Sequence, residues 1–273
     1  MNKLSVEKRV QVIGCLVEGN SIRATVRMTG VAKNTIVKLL AEVGEVCSDY
    51  QDRTFKKLPC KNIQCDEIWS FCYAKEKNVP KDKRGKFGYG DVWTWTAICA
   101  DTKLVPSWFI GNRDSESARL FINDLASRLA HRVQLTTDGL RVYLTAVEDA
   151  FGGGIDYAML HKLYESSQEE TRYSPAKCNG AEKKSICGSP DPKKVSTSYA
   201  ERQNLTMRMG MRRFTRLTNA FSKKVENLAH AVSLHFMYYN FCRVHQTLRV
   251  TPAMEAGIAD HVWTIGEIVG LMI

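Results

Sequence analysis

Asn62-Ile63-Gln64-Cys65-Asp66-Glu67-Ile68-Trp69-Ser70-Phe71 sets two adjacent carboxylates inside a run rich in apolar and aromatic residues. Read as a strand from Ile63 to Phe71, its side chains alternate between two faces. Ile63, Cys65, Glu67, Trp69 and Phe71 share one face, and Gln64, Asp66, Ile68 and Ser70 share the other. An acid in the middle of such a strand is costly to bury unless something pairs with it, and a metal ion would do so. Asp66 is the better ligand, with Glu67 a supporting group or salt-bridge partner. The alternative is an aspartate on the solvated face of an edge strand.

Outward from this strand the same composition recurs at Val92 to Ala100 and Leu104 to Ile110, separated by Asp101-Thr102-Lys103, which suits a hairpin. A helix is predicted from Asp114 to about Ala130, a strand from Val133 to Thr137, a helix from about Arg141 to Ala150 and a strand from Tyr157 to Leu163. Three antiparallel strands followed by alternating helix and strand predict a mixed α/β sheet covered by helices, in the order of a ribonuclease H-like fold. The Gly, Pro, Ser and Lys rich stretch from Gly180 to Ser198 reads as a loop, followed by helices from Ser198 to Met211 and Ser222 to Phe241. Lys75 to Lys86 reads as an exposed, basic hairpin tip.

Two further acids stand out. Asp138 ends the apolar strand and precedes Gly139, a place where sheet proteins present ligands, although Asp-Gly is also a common turn dipeptide. Glu201 begins a helix face that continues through Asn204, Arg208 and Arg212, so a metal ligand would be followed by phosphate contacts. From Thr171 to Lys224 there are 13 Lys and Arg against Glu182, Asp191 and Glu201, the most basic part of the chain.

Before the strands, Ser5 can cap a helix carrying Val6, Val10, Ile13 and Val17. Ser21 opens a short second helix, Gly30 makes a turn, and Lys33 to Val43 forms a third. Helix, glycine turn and helix make a helix-turn-helix unit, with Lys33, Asn34, Thr35 and Lys38 facing out toward phosphates and base edges. A plain helical cap with a solvated face is the alternative. The chain therefore divides into a small all-α helix-turn-helix domain (1–45), a polar linker (46–61), a catalytic domain (62–255) and a C-terminal tail (256–273). The 273 residues carry a formal charge of +10 with pI near 9.1, which favours a polyanionic partner. No run is long enough to span a bilayer and the start lacks a signal-peptide core, so the sequence reads as cytoplasmic and nucleoid-associated. The nine cysteines include no C-x-x-C pair and read as reduced thiols.

The segments Asp66-Glu67-Ile-Trp69-Ser-Phe71, Asp138-Gly139, Glu201-Arg-Gln-Asn204-Leu and Arg212-Arg213-Phe-Thr-Arg216-Leu-Thr-Asn219-Ala-Phe-Ser222 resemble insertion-sequence transposases of the DDE type, closest to that of insertion sequence 1. Tyr239-Asn240, His245-Gln246 and Thr251-Pro252-Ala253 resemble that family's C-terminal signature. The resemblance covers about residues 60 to 255. It implies a ribonuclease H-like core, two Mg2+ or Mn2+ ions held by the triad Asp66, Asp138 and Glu201, and action on terminal inverted repeats. Family members often carry a cysteine-paired zinc element ahead of the helix-turn-helix, and on this reading the chain starts too late to include one.

The expected chemistry is in-line phosphoryl transfer without a covalent protein intermediate, cutting a phosphodiester at the element end and joining the released 3′ hydroxyl to target DNA. Asn204, Arg208, Arg212, Arg213 and Arg216 would hold the double-stranded DNA, and joining two ends implies a homo-oligomer on DNA. His245 is a candidate for steering a nucleophile or phosphate, though a lone histidine near a helix end is more often structural; Tyr239 is a weaker candidate. A tyrosine recombinase is disfavoured, because His245 to Arg249 has the wrong spacing for an H-x-x-R pair. The rivals are a non-catalytic DNA-binding protein derived from a transposase, and a nuclease of the same fold that cuts and never joins.

Overall fold

The computed structural model describes residues 4–164, 178–215 and 219–272. Three helices open it: α1 (Val6–Val17), α2 (Ile22–Thr29) and α3 (Lys33–Thr54). A six-stranded sheet follows, built from β1 (Asn62–Cys72), β2 (Gly90–Cys99), β3 (Ser107–Gly111), β4 (Gln134–Asp138), β5 (Asp156–Tyr164) and β6 (Cys178–Cys187) in the order β3-β2-β1-β4-β5-β6. β1, β2 and β3 are antiparallel, β1, β4 and β5 run parallel, and β6 returns antiparallel on β5. Helices α4 (Ser115–Arg128) and α5 (Val142–Phe151) make the crossovers, and α6 (Ser198–Gly210), α7 (Val225–Met237), α8 (Pro252–Glu255) and α9 (Ile265–Gly270) follow the sheet. This is the expected mixed α/β class, and the order of the first five strands is that of a ribonuclease H-like sheet. Among the described residues no helix is long and apolar enough to cross a membrane.

The alternation in β1 becomes two packed layers. Ile63 and Cys65 join Trp95, Leu135 and Tyr157 under Phe121 of α4 and Tyr143 of α5. On the other face Ile68 joins Val92 and Ile98 beneath Ala200 and Met207 of α6 and Leu228, Val232 and Phe236 of α7. Burying both faces keeps Asp66 and Glu67 largely out of water, each in a different layer.

Three sequence expectations change. The linker over 46–61 is helical as far as Thr54, and its next residues Phe55, Leu58 and Cys60 are buried, with Leu58 bridged to Leu129. Val43, Cys47 and Gln51 form an inward stripe at every fourth residue. Gln51 reads as polar and solvated, but its amide donates to the Cys47 and Ser233 carbonyls at 3.0 and 3.4 Å. The stretch read as a loop after Gly180 is strand β6 as far as Cys187; its mostly exposed residues lack a strand pattern because its order comes from backbone pairing along β5. The tail contains α9, fastened by a capping box between Thr264 and Glu267, with Ile268 and Val269 buried.

One hydrophobic cluster joins Val12, Ile36 and Val43 to Phe121 and Leu135. The closest approach is at Gly44, where a Cβ atom would fall 2.5 Å from the His230 Cα in α7, and the Gly44 carbonyl accepts from the Ser233 hydroxyl at 2.7 Å. Gly44→Ala is therefore expected to lower stability by about 1–3 kcal/mol by forcing α3 from α7. Urea denaturation of the variant checks this, and an unchanged midpoint would contradict the packing.

Candidate active site

β1 and β4 pair only from Asn62 opposite Gln134 to Gln64 opposite Thr136. Carried two residues further, the same register sets Asp66 near Asp138, beyond the point where the pairing stops, and residues two apart along a strand point to one face. Two carboxylates thus stand side by side at the mouth of a splayed strand pair, as the strand-end position of Asp138 predicts.

Asp66 is held on both oxygens: Oδ1 accepts the Glu67 backbone N–H at 2.9 Å, and Oδ2 accepts from Asn204 Nδ2 at 2.8 Å. Asp138 Oδ1 accepts the Leu140 N–H at 3.0 Å, closing a turn over Gly139. A side chain at Gly139 would meet the His161 ring, with Nδ1 2.6 Å from its Cβ.

Glu201 reaches the same place from α6. The first turn of that helix has no side-chain cap of its own; Gln64 Oε1 accepts the N–H groups of Tyr199 and Ala200 at 2.8 and 3.3 Å. Gln64 shares the Asp66 face of β1, so one strand face both carries the first acid and anchors the helix that carries the third. Glu201 Oε1 accepts from Thr197 Oγ1 at 2.5 Å and lies 2.5 Å from Lys162 Nζ. Asp66, Asp138 and Glu201 all line one cleft of about 500 Å³, together with Arg113, His161 and Lys162.

Glu67 points to the opposite layer, where it is buried, accepts from the Tyr143 hydroxyl and sits 3.3 Å from Arg113 Nε. Arg113 also lies 3.8 Å from Asp138 Oδ2 and stacks over Trp93 at 4.7 Å. It is a clamp between Glu67 and Asp138 that sequence reasoning missed, as it missed Tyr143, Lys162 and the Gln64 cap. Strand alternation around Lys162 was the available signal for one of them; the others come from elements distant in sequence.

Burial, then the charge of Asp138, pushes the Asp66 carboxyl up to about 6, with Glu201 adding to the rise. Burial and Asp138 likewise raise Glu67 to about 7. Oxygen atoms of Asp66, Glu67 and Asp138 come within 4.8 Å of one another. Crowded, desolvated carboxylate oxygens are the donor set of Mg2+ or Mn2+, so Asp66, Glu67 and Asp138 fit a divalent cation, while Glu201 lines the same cleft outside that close group, on Lys162 and Thr197.

The other expected contacts divide. Lys33, Asn34, Thr35 and Lys38 are exposed on the first turns of α3, with Lys38 3.7 Å from Glu42. Arg212 is exposed and Arg208 half-buried. Asn204 is a correction: it is buried and spent on Asp66, because the helix face at Glu201 turns inward against β1. Arg213 is also drawn inward, donating to Ser222 Oγ at 2.5 Å. Arg216 lies outside the described residues. Tyr239 and Asn240 brace the turn before β3: the Tyr239 hydroxyl donates to the Lys103 carbonyl at 3.1 Å, and Asn240 exchanges two bonds with the Val105 backbone at 3.0 and 3.1 Å. His245 Nδ1 is buried, and burial with nearby Lys103 and Arg243 depresses its pKa.

Two outcomes follow. Gln64→Ala removes both bonds to the α6 N-terminus, so stability is expected to fall by about 1–2 kcal/mol, read by chemical denaturation. The raised carboxyls bind protons more tightly in the folded state, so in a chelator stability declines as pH rises from about 4 through 7. Asp66→Asn is then expected to raise neutral-pH stability by on the order of 1 kcal/mol, with the gain gone near pH 4. Melting curves across that range check it, and a lower melting point at pH 7.5 would contradict it.

No protein-family model matches the chain, and a search of curated proteins finds no match. Among solved structures, it is similar to the Mos1 strand transfer complex (12% identity over 57% of this chain and 59% of that one, TM-score 0.25) and to a piggyBac transposase synaptic complex with hairpin DNA (10% identity over 99% and 72%, TM-score 0.40). The Mos1 transposase paired-end complex with left transposon end is similar at 11% identity over 57% and 60%, TM-score 0.24. The chain spans about three fifths of the Mos1 chains. These scores carry no weight for the fold, which rests on strand order and register.

Proposed function

We propose that this protein is a DDE-type transposase, similar to that of insertion sequence 1, which binds element-end DNA and catalyses divalent-metal-dependent strand cleavage and strand transfer. The observation that carries the reading is the convergence of Asp66, Asp138 and Glu201, from three separate elements, on one cleft. Asp66, Asp138 and Glu201 are the residues that would hold the cations. When bound, a cation pair supplies charge stabilisation at the attacking and leaving oxygens of an in-line displacement. The chain's own groups prepare that chemistry. Asn204 and the Glu67 N–H fix the Asp66 carboxylate, Gln64 fixes the start of α6, and Arg113 and Lys162 bring positive charge to the cleft rim where a phosphodiester would lie. Lys33, Asn34, Thr35 and Lys38 on α3 are the proposed duplex contacts, and a homo-oligomer on DNA brings two ends together.

One observation favours a second reading, a non-catalytic DNA-binding protein derived from a transposase: Glu201 is neutralised by Lys162. A nicking assay on element-end DNA with Mg2+ separates the two. Cleavage by the parent protein, lost by on the order of a hundredfold or more in Asp138→Asn with DNA binding kept, is expected of the enzyme. Binding by the parent with no cleavage establishes the second reading.

A further inference from the structure

A second cavity, larger than the acidic cleft, lies away from the acids, between the N-terminal helices and the C-terminal end of α6, and holds about 840 Å³. Its wall carries Arg23, Lys33, Arg212, Arg213, Lys223 and Lys224 and no Asp or Glu. Among the described residues, none of these six is paired with a carboxylate. Its inner surface is apolar, with Ile22, Leu40 and Leu234 and the half-buried ring of Phe221. His235 also lines it; this side chain is 6% exposed, and its Nε2 is buried without a hydrogen-bond partner. Burial, then nearby Arg243, depresses His235 to about 4, so at neutral pH its ring is uncharged.

These features call for a ligand with anionic groups at the mouth and a flat, polar-edged apolar body inside. A duplex, which keeps its bases stacked and paired, cannot present such a body to a cavity of this size; an unstacked nucleotide can. Cationic grooves with an aromatic platform are how proteins hold single strands. The cavity also joins two sets of residues that looked independent in sequence, Lys33 and Asn34 from α3 and Arg212 and Arg213 from beyond α6.

We propose that this cavity binds an unpaired nucleotide of a DNA strand, its phosphates held by Arg212, Lys223 and Lys224 and its base received between Phe221 and His235. The proposal rests on the DNA-acting reading only for the identity of the polymer, since the residues are separate from the acidic cleft.

The test measures binding of a fluorescein-labelled eight-nucleotide oligo(dT) to the full chain by anisotropy, with free dTMP as competitor. Replacing Arg212, Lys223 and Lys224 together by Ala, all exposed residues, is expected to weaken oligonucleotide binding at least tenfold and to flatten its salt dependence. Phe221→Ala is expected to weaken it about threefold to tenfold with the salt dependence kept. The control Lys56→Ala with Lys61→Ala, exposed lysines outside the cavity wall, is expected to change it less than twofold. Equal binding by the parent and the triple variant overturns the proposal. So does dTMP competing as well as unlabelled oligonucleotide at equal nucleotide concentration, which would make the cavity a site for free nucleotides. Cleavage of element ends without single-strand binding here removes this proposal alone, whereas single-strand binding without cleavage supports it and removes the transposase reading.

Discussion

Everything at the acidic cleft depends on how β1 grips α6. Gln64 and Asp66 project from the same face of one strand, Gln64 onto the backbone of the helix start and Asp66 onto Asn204, nearly two turns into the helix. The two contacts fix both the height and the rotation of α6 against the sheet, and the rotation decides that Glu201 enters the cleft. A helix N-terminus capped by a strand side chain is also an electropositive end placed toward a cluster of negative charge, which opposes part of the repulsion there.

That repulsion shapes the rest of the site. Asp66 and Asp138 come close beyond the last paired residues of β1 and β4, and like charges brought so near each other are destabilising. The chain responds by bracketing the acids with two cations: Arg113, between Glu67 and Asp138, and Lys162, on Glu201. A site assembled this way is strained toward accepting further positive charge. Burial by two helix layers raises the Asp66 and Glu67 carboxyls, so both hold a proton more tightly than an exposed acid does.

The same economy of position recurs at the other end of α6. Gly19, in the turn between α1 and α2, comes so close to Gly210 that a Cβ would lie 3.0 Å from the Gly210 carbonyl, and the large basic cavity opens beside that contact. One helix therefore has the acidic cleft at its start and the basic cavity at its end. On the proposed transposase reading, this separates holding from cutting along a single rigid element.

Local pattern determined much of this protein. The alternation in β1, the hairpin at Asp101 to Lys103, the order of helices and strands through β5, and the capping serines at positions 5 and 21 are all near-neighbour effects, readable because period and turn chemistry act over a few residues. The three acids proposed as ligands stood out locally as well, Asp66 as a charge inside an apolar strand, Asp138 at a strand end and Glu201 in the first turn of a helix. Tertiary structure decided what no local window contains. Gln51 became core because α7 packs against it and the Ser233 carbonyl, far along the chain, accepts from its Nε2; β6 became a strand because β5 offered an open edge; and Asn204 turned from a presumed DNA contact into the partner of Asp66. Arg113, Tyr143 and Lys162 joined the site for the same physical reason. A buried charge is stabilised by whichever opposite or hydrogen-bonding group the fold brings within a few ångströms, and that choice is made in space.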